Sequence, residues 1–246
     1  MTAPTQPFWV SAFLDLASGD FDRGVSFWQG VTGYALSGRR GADGELATLV
    51  PPDGDDYLRV QRLADGDGGI HLDLHVDDPA IAAEAVVELG GHALMRHEQG
   101  YVVLRSPGGL VFCLVRRQAS RRPAPATWPD GTRSRVDQVC LDLPPASYDV
   151  ELAFWQALTG WEHDPGVSRE FGRLQPPEGQ PLRWLVQRLD DDGGPVRAHL
   201  DLACDDRDAE TARHLRLGAT VARVHDHWTV LSDPVGTTYC ITDRRP

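Results

Sequence analysis

The sequence contains no lysine; all 24 of its basic residues are arginine. This removes the lysine Schiff base and the lysine general base from the chemistry open to the chain. Cysteine is sparse: Cys113, Cys140, Cys204 and Cys240 form no C-x-x-C pair. No apolar run approaches the roughly 20 residues that cross a bilayer. The opening "MTAPTQPFWV" has neither the basic nor the apolar stretch of a secretory signal. A cytoplasmic protein with reduced thiols is therefore expected. Positive charge is also short, since 36 acidic residues leave a formal net charge of −12. Such a surface repels phosphate backbones and anionic lipid, so no nucleic acid and no membrane is expected as a partner. A small neutral or cationic molecule is easier to accommodate.

What is present is a duplication. The 246 residues, 41% hydrophobic and 24% charged, suffice for one large domain or two ordinary ones. "FWQGVTGY" from Phe27 returns as "FWQALTGW" from Phe154. "VQRL" from Val60 returns from Val186, and "HLDL" from His71 returns from His199. "LRSPGGLVFCLV" from Leu104 aligns with "LSDPVGTTYCIT" from Leu231. Between the copies lies an Arg- and Pro-rich stretch with no hydrophobic period, read as an extended linker. The expected organisation is a first domain over 1–117, a linker over 118–134 and a second domain over 135–246.

A second repeat lies inside each half. "SAFLDL" alternates like a strand. Phe21, Val25, Trp28 and Val31 recur at helical spacing, with Gly33 as a stop. Three short strands follow, and the pattern restarts at "IHLDLHV". There the helix carries Asp78 as its cap, Pro79 in its first turn and Gly90 at its close. The chain is thus expected to be α+β, with four βαβββ modules. Paired modules would make curved sheets with a concave open face for a ligand.

These features resemble the vicinal oxygen chelate superfamily of glyoxalase I, extradiol dioxygenases and bleomycin-resistance proteins. "GDFDRGVSFWQGVTGY", "HLDLHVDDPAIAAEAVVELGG" and "SPGGLVFCLV", each with a counterpart, carry the resemblance over nearly all of the chain. The glyoxalase-like branch is the nearest in appearance. The resemblance implies two tandem domains with a small molecule in one or both clefts. The superfamily's ligand positions fall on Ser11, Gln61, His71 and Cys113, and on Gln138, Gln187, His199 and Cys240. The expected last-strand glutamate is cysteine in both halves. Lacking that anionic oxygen, the sites are expected to carry no catalytic metal. Were a divalent metal present, Gln138 and His199 would ligate it.

Side chains alternate across a strand. His71, Asp73 and His75 therefore share one face, as do His199 and Asp201. Three readings stay open for this face: a buried hydrogen-bonded pair, a ligand lining, or acid–base catalysis by His71, Asp73, His199 and Asp201. A ligand would also meet Arg59, Gln61, His75 and Cys113 in the first half. In the second it would meet Gln138, Gln187 and Cys240. Tyr101 and Trp228, at equivalent positions, would be aromatic walls. Cys113 and Cys240 can equally be small packed side chains. The leading expectation is a small-molecule-binding protein of the glyoxalase-like kind, enzyme or binder. The alternatives are a metal-dependent lyase or dioxygenase using the second domain, and a drug-sequestering protein of the bleomycin-resistance type. A fused pair of domains is consistent with a monomer.

Overall fold

The computed structural model describes residues 6–66, 68–166, 168–191 and 194–246. Its first half runs β1 (Trp9–Ala17), α1 (Phe21–Thr32), β2 (Ala35–Leu36), β3 (Leu46–Val50) and β4 (Leu58–Leu63). The second module follows as β5 (Gly69–His75), α2 (Pro79–Glu88), β6 (His92–Arg96), β7 (Val102–Arg105) and β8 (Val111–Val115). After β9 (Ala126–Thr127) come β10 (Arg133–Leu143), α3 (Tyr148–Thr159), β11 (Glu162–Asp164), β12 (Phe171–Gln175) and β13 (Arg183–Arg188). The last module is β14 (Arg197–Cys204), α4 (Arg207–Arg216), β15 (Thr220–Val224), β16 (Trp228–Ser232) and β17 (Thr238–Thr242). The α+β fold with four βαβββ modules is as expected. No helix among the described residues is long and apolar enough to cross a membrane.

Local signals set the helix ends. Asp78 accepts from the N–H groups of Ala80 and Ile81, and Asp206 from that of Ala209. Each satisfies donors that a helix start leaves unpaired. Gly33 and Gly160 close α1 and α3 with φ near +71° and +69°, a conformation that glycine alone adopts cheaply.

The first half forms one eight-stranded sheet, in the order β2-β3-β4-β1-β5-β8-β7-β6. The second forms a nine-stranded sheet, β11-β12-β13-β10-β14-β17-β16-β15, with β9 attached to β10. That attachment departs from the expected linker. Ala126 and Thr127 pair with Ser134 and Arg133 across a turn. The anchor is Trp128, whose ring lies 3.6 Å from the guanidinium carbon of Arg213 and whose Nε1 donates to Ser134. A single aromatic has no period, so nothing in the hydrophobic pattern marks it.

Packing divides the chain differently from the sheets. One compact unit holds the residues up to Ala12, His71–Ser120 and Val139–Ala198. Its core stacks Phe112 edge-on to Trp155, and Trp155 on Trp184. The other holds Phe13–Ile70, Arg121–Gln138 and His199–Pro246. There Trp28 packs edge-on to Tyr239 at 5.3 Å. Both helix tryptophans are fully buried, and each indole N–H finds a carboxylate: Trp28 reaches Asp233 and Trp155 reaches Glu151.

The second unit also buries an ionic network on α4. Glu210 bonds both Arg213 and His214. Arg213 donates in turn to the carbonyls of Gly30 and Val31 at the end of α1, where a helix welcomes positive charge. His214 Nδ1 meets the Tyr239 hydroxyl at 2.9 Å. Burial opposes ionisation of Glu210, but the bonds from Arg213 and His214 outweigh it and hold the carboxyl down to about 2. Burial also pulls His214 below its ordinary value. Both shifts are downward, so both contributions to stability are complete above the unfolded values of 4.5 and 6.5 and vanish as pH falls. The urea midpoint is therefore expected to drop between pH 7.5 and pH 3, and Glu210→Gln is expected to shrink that drop. An equal drop in the variant would show that the network does not contribute.

Candidate functional site

The site begins with strand register. β5 and β8 run parallel, with Leu72 opposite Phe112, Asp73 opposite Cys113 and Leu74 opposite Leu114. β14 and β17 repeat this, with Leu200 opposite Tyr239, Asp201 opposite Cys240 and Leu202 opposite Ile241. The leucine and aromatic side chains are buried as the core face. Alternation then sends His, Asp and Cys to the other face of each sheet. His71, Asp73 and Cys113 bring their donor atoms within 4.8 Å of one another, and so do His199, Asp201 and Cys240.

The two clusters differ in detail. His71 Nε2 lies 3.9 Å from Asp73 Oδ1, whereas His199 Nε2 lies 3.3 Å from Asp201 Oδ1. The Gln138 amide donates to Asp201 Oδ2. Asp201 Oδ1 is buried and has no hydrogen-bond partner. The repeat aligns Gln138 with Ser11 and Ala203 with His75. In the first half Ser11 Oγ meets His75 Nε2 at 2.9 Å, and His75 Nδ1 lies 2.8 Å from the carbonyl oxygen of Arg117. A short residue on β1 faces a long one on β5, and a long residue on β10 is matched by alanine on β14. His75 is completely buried with both ring nitrogens engaged. The structure therefore leaves it outside the first cluster, although it was expected to line a ligand.

The other expected residues make contacts of their own. Arg59 pairs with Asp56 at 3.2 Å and lies over the Phe13 ring. Gln61 stays on β4, opposite Leu46 and half-buried. Gln187 donates to Glu170, and its oxygen lies 3.9 Å from Cys140 Sγ. Tyr101 stacks on His97 and Trp228 on His225, nearly coplanar at 4.3 Å and 4.2 Å, so each aromatic expected as a wall meets a histidine of its own hairpin. A cavity of about 310 Å³ opens elsewhere, between Gln6–Pro7, Thr159–Glu162 and Gln175–Pro177. It shares no residue with either cluster.

The model of the glyoxalase-like domain family matches residues 11–115 and again residues 138–242. The chain belongs to the glyoxalase-like domain family. Its two tandem domains have the vicinal oxygen chelate fold, as solved structures show. The Mn(II)-bound glyoxalase from Novosphingobium aromaticivorans is 17% identical, with 98% of this chain and 83% of that chain covered at a TM-score of 0.60. Homoprotocatechuate 2,3-dioxygenase from Arthrobacter globiformis is 14% identical, with coverage of 98% and 81% and a TM-score of 0.66. A mutant of 4-hydroxymandelate synthase from Streptomyces coelicolor is 16% identical, with coverage of 99% and 94% and a TM-score of 0.60. At these identities the likeness is one of fold. No curated protein sequence matches the chain.

The expectation of no catalytic metal rested on the lack of an anionic oxygen, and the structure corrects that. The missing last-strand glutamate does not leave the clusters without an anionic oxygen, because Asp73 and Asp201 stand beside the histidines. Each cluster offers one imidazole, one carboxylate and one thiol. That mixture suits a borderline ion better than a hard one. In the second half His199 stands with Asp201 and Cys240, and Gln138 holds the carboxylate.

The Ser11–His75 contact generates a test of its own. His75→Ala removes a buried ring and leaves the Ser11 hydroxyl without that partner, so it is expected to cost about 2–4 kcal/mol in denaturant unfolding. Ligand binding at the second cluster should be untouched. A stable variant that loses binding would place His75 in the site after all.

Proposed function

We propose that the protein binds a small oxygen-bearing molecule at the His199–Asp201–Cys240 cluster, with His71–Asp73–Cys113 as a looser second site. The observation that carries the reading is the Asp201 carboxylate. One of its oxygens is held by Gln138, while the other is buried, unbonded and 3.3 Å from an imidazole nitrogen. A buried acceptor left unmet costs about 1–3 kcal/mol, which a cation between the two groups relieves. That cation is a proton on His199 or a divalent metal. A metal there would supply a Lewis acid to polarise a bound oxygen.

The rest is the work of the chain's own residues. Asp201 orients the imidazole and stabilises its charge. His199, with 12% of its side chain exposed, meets the ligand and can give or take a proton. Gln138 keeps the carboxylate in place. The acidic balance disfavours nucleic acid and anionic membranes and tolerates a ligand that is neutral or cationic. The cytoplasm is the compartment proposed for this role.

A thermal-shift and calorimetry panel of compounds with adjacent oxygens, homoprotocatechuate among them, tests the reading. His199→Ala and Asp201→Asn are each expected to weaken binding about tenfold or more, as loss of a charged hydrogen bond would. His71→Ala should stay within about twofold. The reverse order, or equal loss from both halves, would overturn the assignment of the working site.

A further inference from the structure

We infer that the cavity of about 310 Å³ at the end of α3 is a separate binding site, for a planar aromatic amine of about indole size. None of its residues belongs to the polar clusters. The chain's own repeat points to the ligand, because the first half fills the matching place with a tryptophan.

The walls of the two places correspond residue by residue. The cavity is lined from "TGWE" over 159–162 and from "QPP" over 175–177. In the first half the same places read "TGYA" over 32–35 and "VPP" over 50–52. Glu162 pairs with Gln175 across the sheet edge, and Ala35 pairs with Val50 in the same way. In the first half Trp128 covers this wall. A Cβ placed on Gly33 would lie 3.5 Å from its ring. A Cβ placed on Gly160 would meet the Gln6 side chain instead. The local sequence agrees, since "TQP" over 5–7 matches "TWP" over 127–129, with Gln6 in the tryptophan's place. A glutamine side chain is smaller than an indole, and the space it leaves is the cavity.

Size and walls give the class of ligand. About 310 Å³ is at the lower end for small-molecule pockets, enough for one bicyclic ring. Trp161, Pro7, Pro176 and Pro177 offer it apolar surface. The charge differs between the halves. Trp128 lies 3.6 Å from the guanidinium carbon of Arg213, and the position of α2 aligned with Arg213 is Ala85. The position aligned with Ala35 is Glu162, an exposed carboxylate at the cavity. Where the first half has a guanidinium and a methyl, the second has a methyl and a carboxylate. A ring that carries its own positive charge restores the balance.

Calorimetric titration of the full chain with tryptamine tests the inference. Saturable binding is expected, with a dissociation constant of about 1 mM or tighter. Indoleacetate, of opposite charge, should bind about two- to fivefold more weakly, as one solvent-screened ion pair allows. Gln6→Trp should fill the cavity and weaken tryptamine binding about tenfold or more, with homoprotocatechuate binding unchanged. His199→Ala should leave tryptamine binding unchanged. Should Gln6→Trp fold poorly, nuclear Overhauser contacts between the tryptamine ring and Trp161 in the wild-type protein serve instead. No saturable binding, binding that survives Gln6→Trp or follows His199, or a bound ring without contact to Trp161 overturns the site. Indoleacetate binding as tightly as tryptamine overturns the choice of an amine.

Discussion

Everything at the site depends on the parallel register of β5 with β8 and of β14 with β17. A strand's side chains alternate, so a slip of one residue would send every one of them to the wrong face. The core forbids that slip. Leu72 and Leu74 must stay buried with Phe112 and Leu114, as must Leu200 and Leu202 with Tyr239 and Ile241. Once the apolar face is set, Asp73 must meet Cys113 and Asp201 must meet Cys240. The histidine two residues earlier shares their face. The polar cluster is thus a consequence of hydrophobic packing on the opposite side of the sheet.

Duplication has since let the halves solve the same packing in different ways. Ser11 with His75 and Gln138 with Ala203 exchange size between neighbouring positions. In the first half the long residue is spent on an internal bond, and in the second it reaches the carboxylate of the cluster. The helices diverge in the same manner. Where α4 buries Glu210 and His214, the aligned positions of α2 are Ala82 and Val86, also buried. An ionic network and a plain apolar contact serve one fold. Such networks bring pH sensitivity where apolar packing brings none.

Much of this was legible in the residues. The repeat, the modules, the caps at Asp78 and Gly33, and the shared face of His and Asp all follow from period and turn chemistry. The carboxylate's place in a ligand set was not. The family positions point to the last strand, while the structure sets Asp201 beside His199, two residues away on the same strand. The face was readable from alternation, but the approach of Nε2 to Oδ1 depends on side-chain rotamers. His75 looked equivalent to His71 by alternation, and only the partner on β1 separates them. Trp128 had no period to announce it. Tyr101 and Trp228 occupy equivalent positions in the repeat, but stacking on His97 and His225 is a contact within a hairpin that no spacing rule expresses.

The most direct measurement of the site is nitrogen NMR of the histidine side chains during titration with a compound bearing adjacent oxygens. The His199 imidazole, identified by its loss in His199→Ala, should shift most on binding, and His71 should shift less. A shift confined to His71, or none at either histidine, would contradict the assignment.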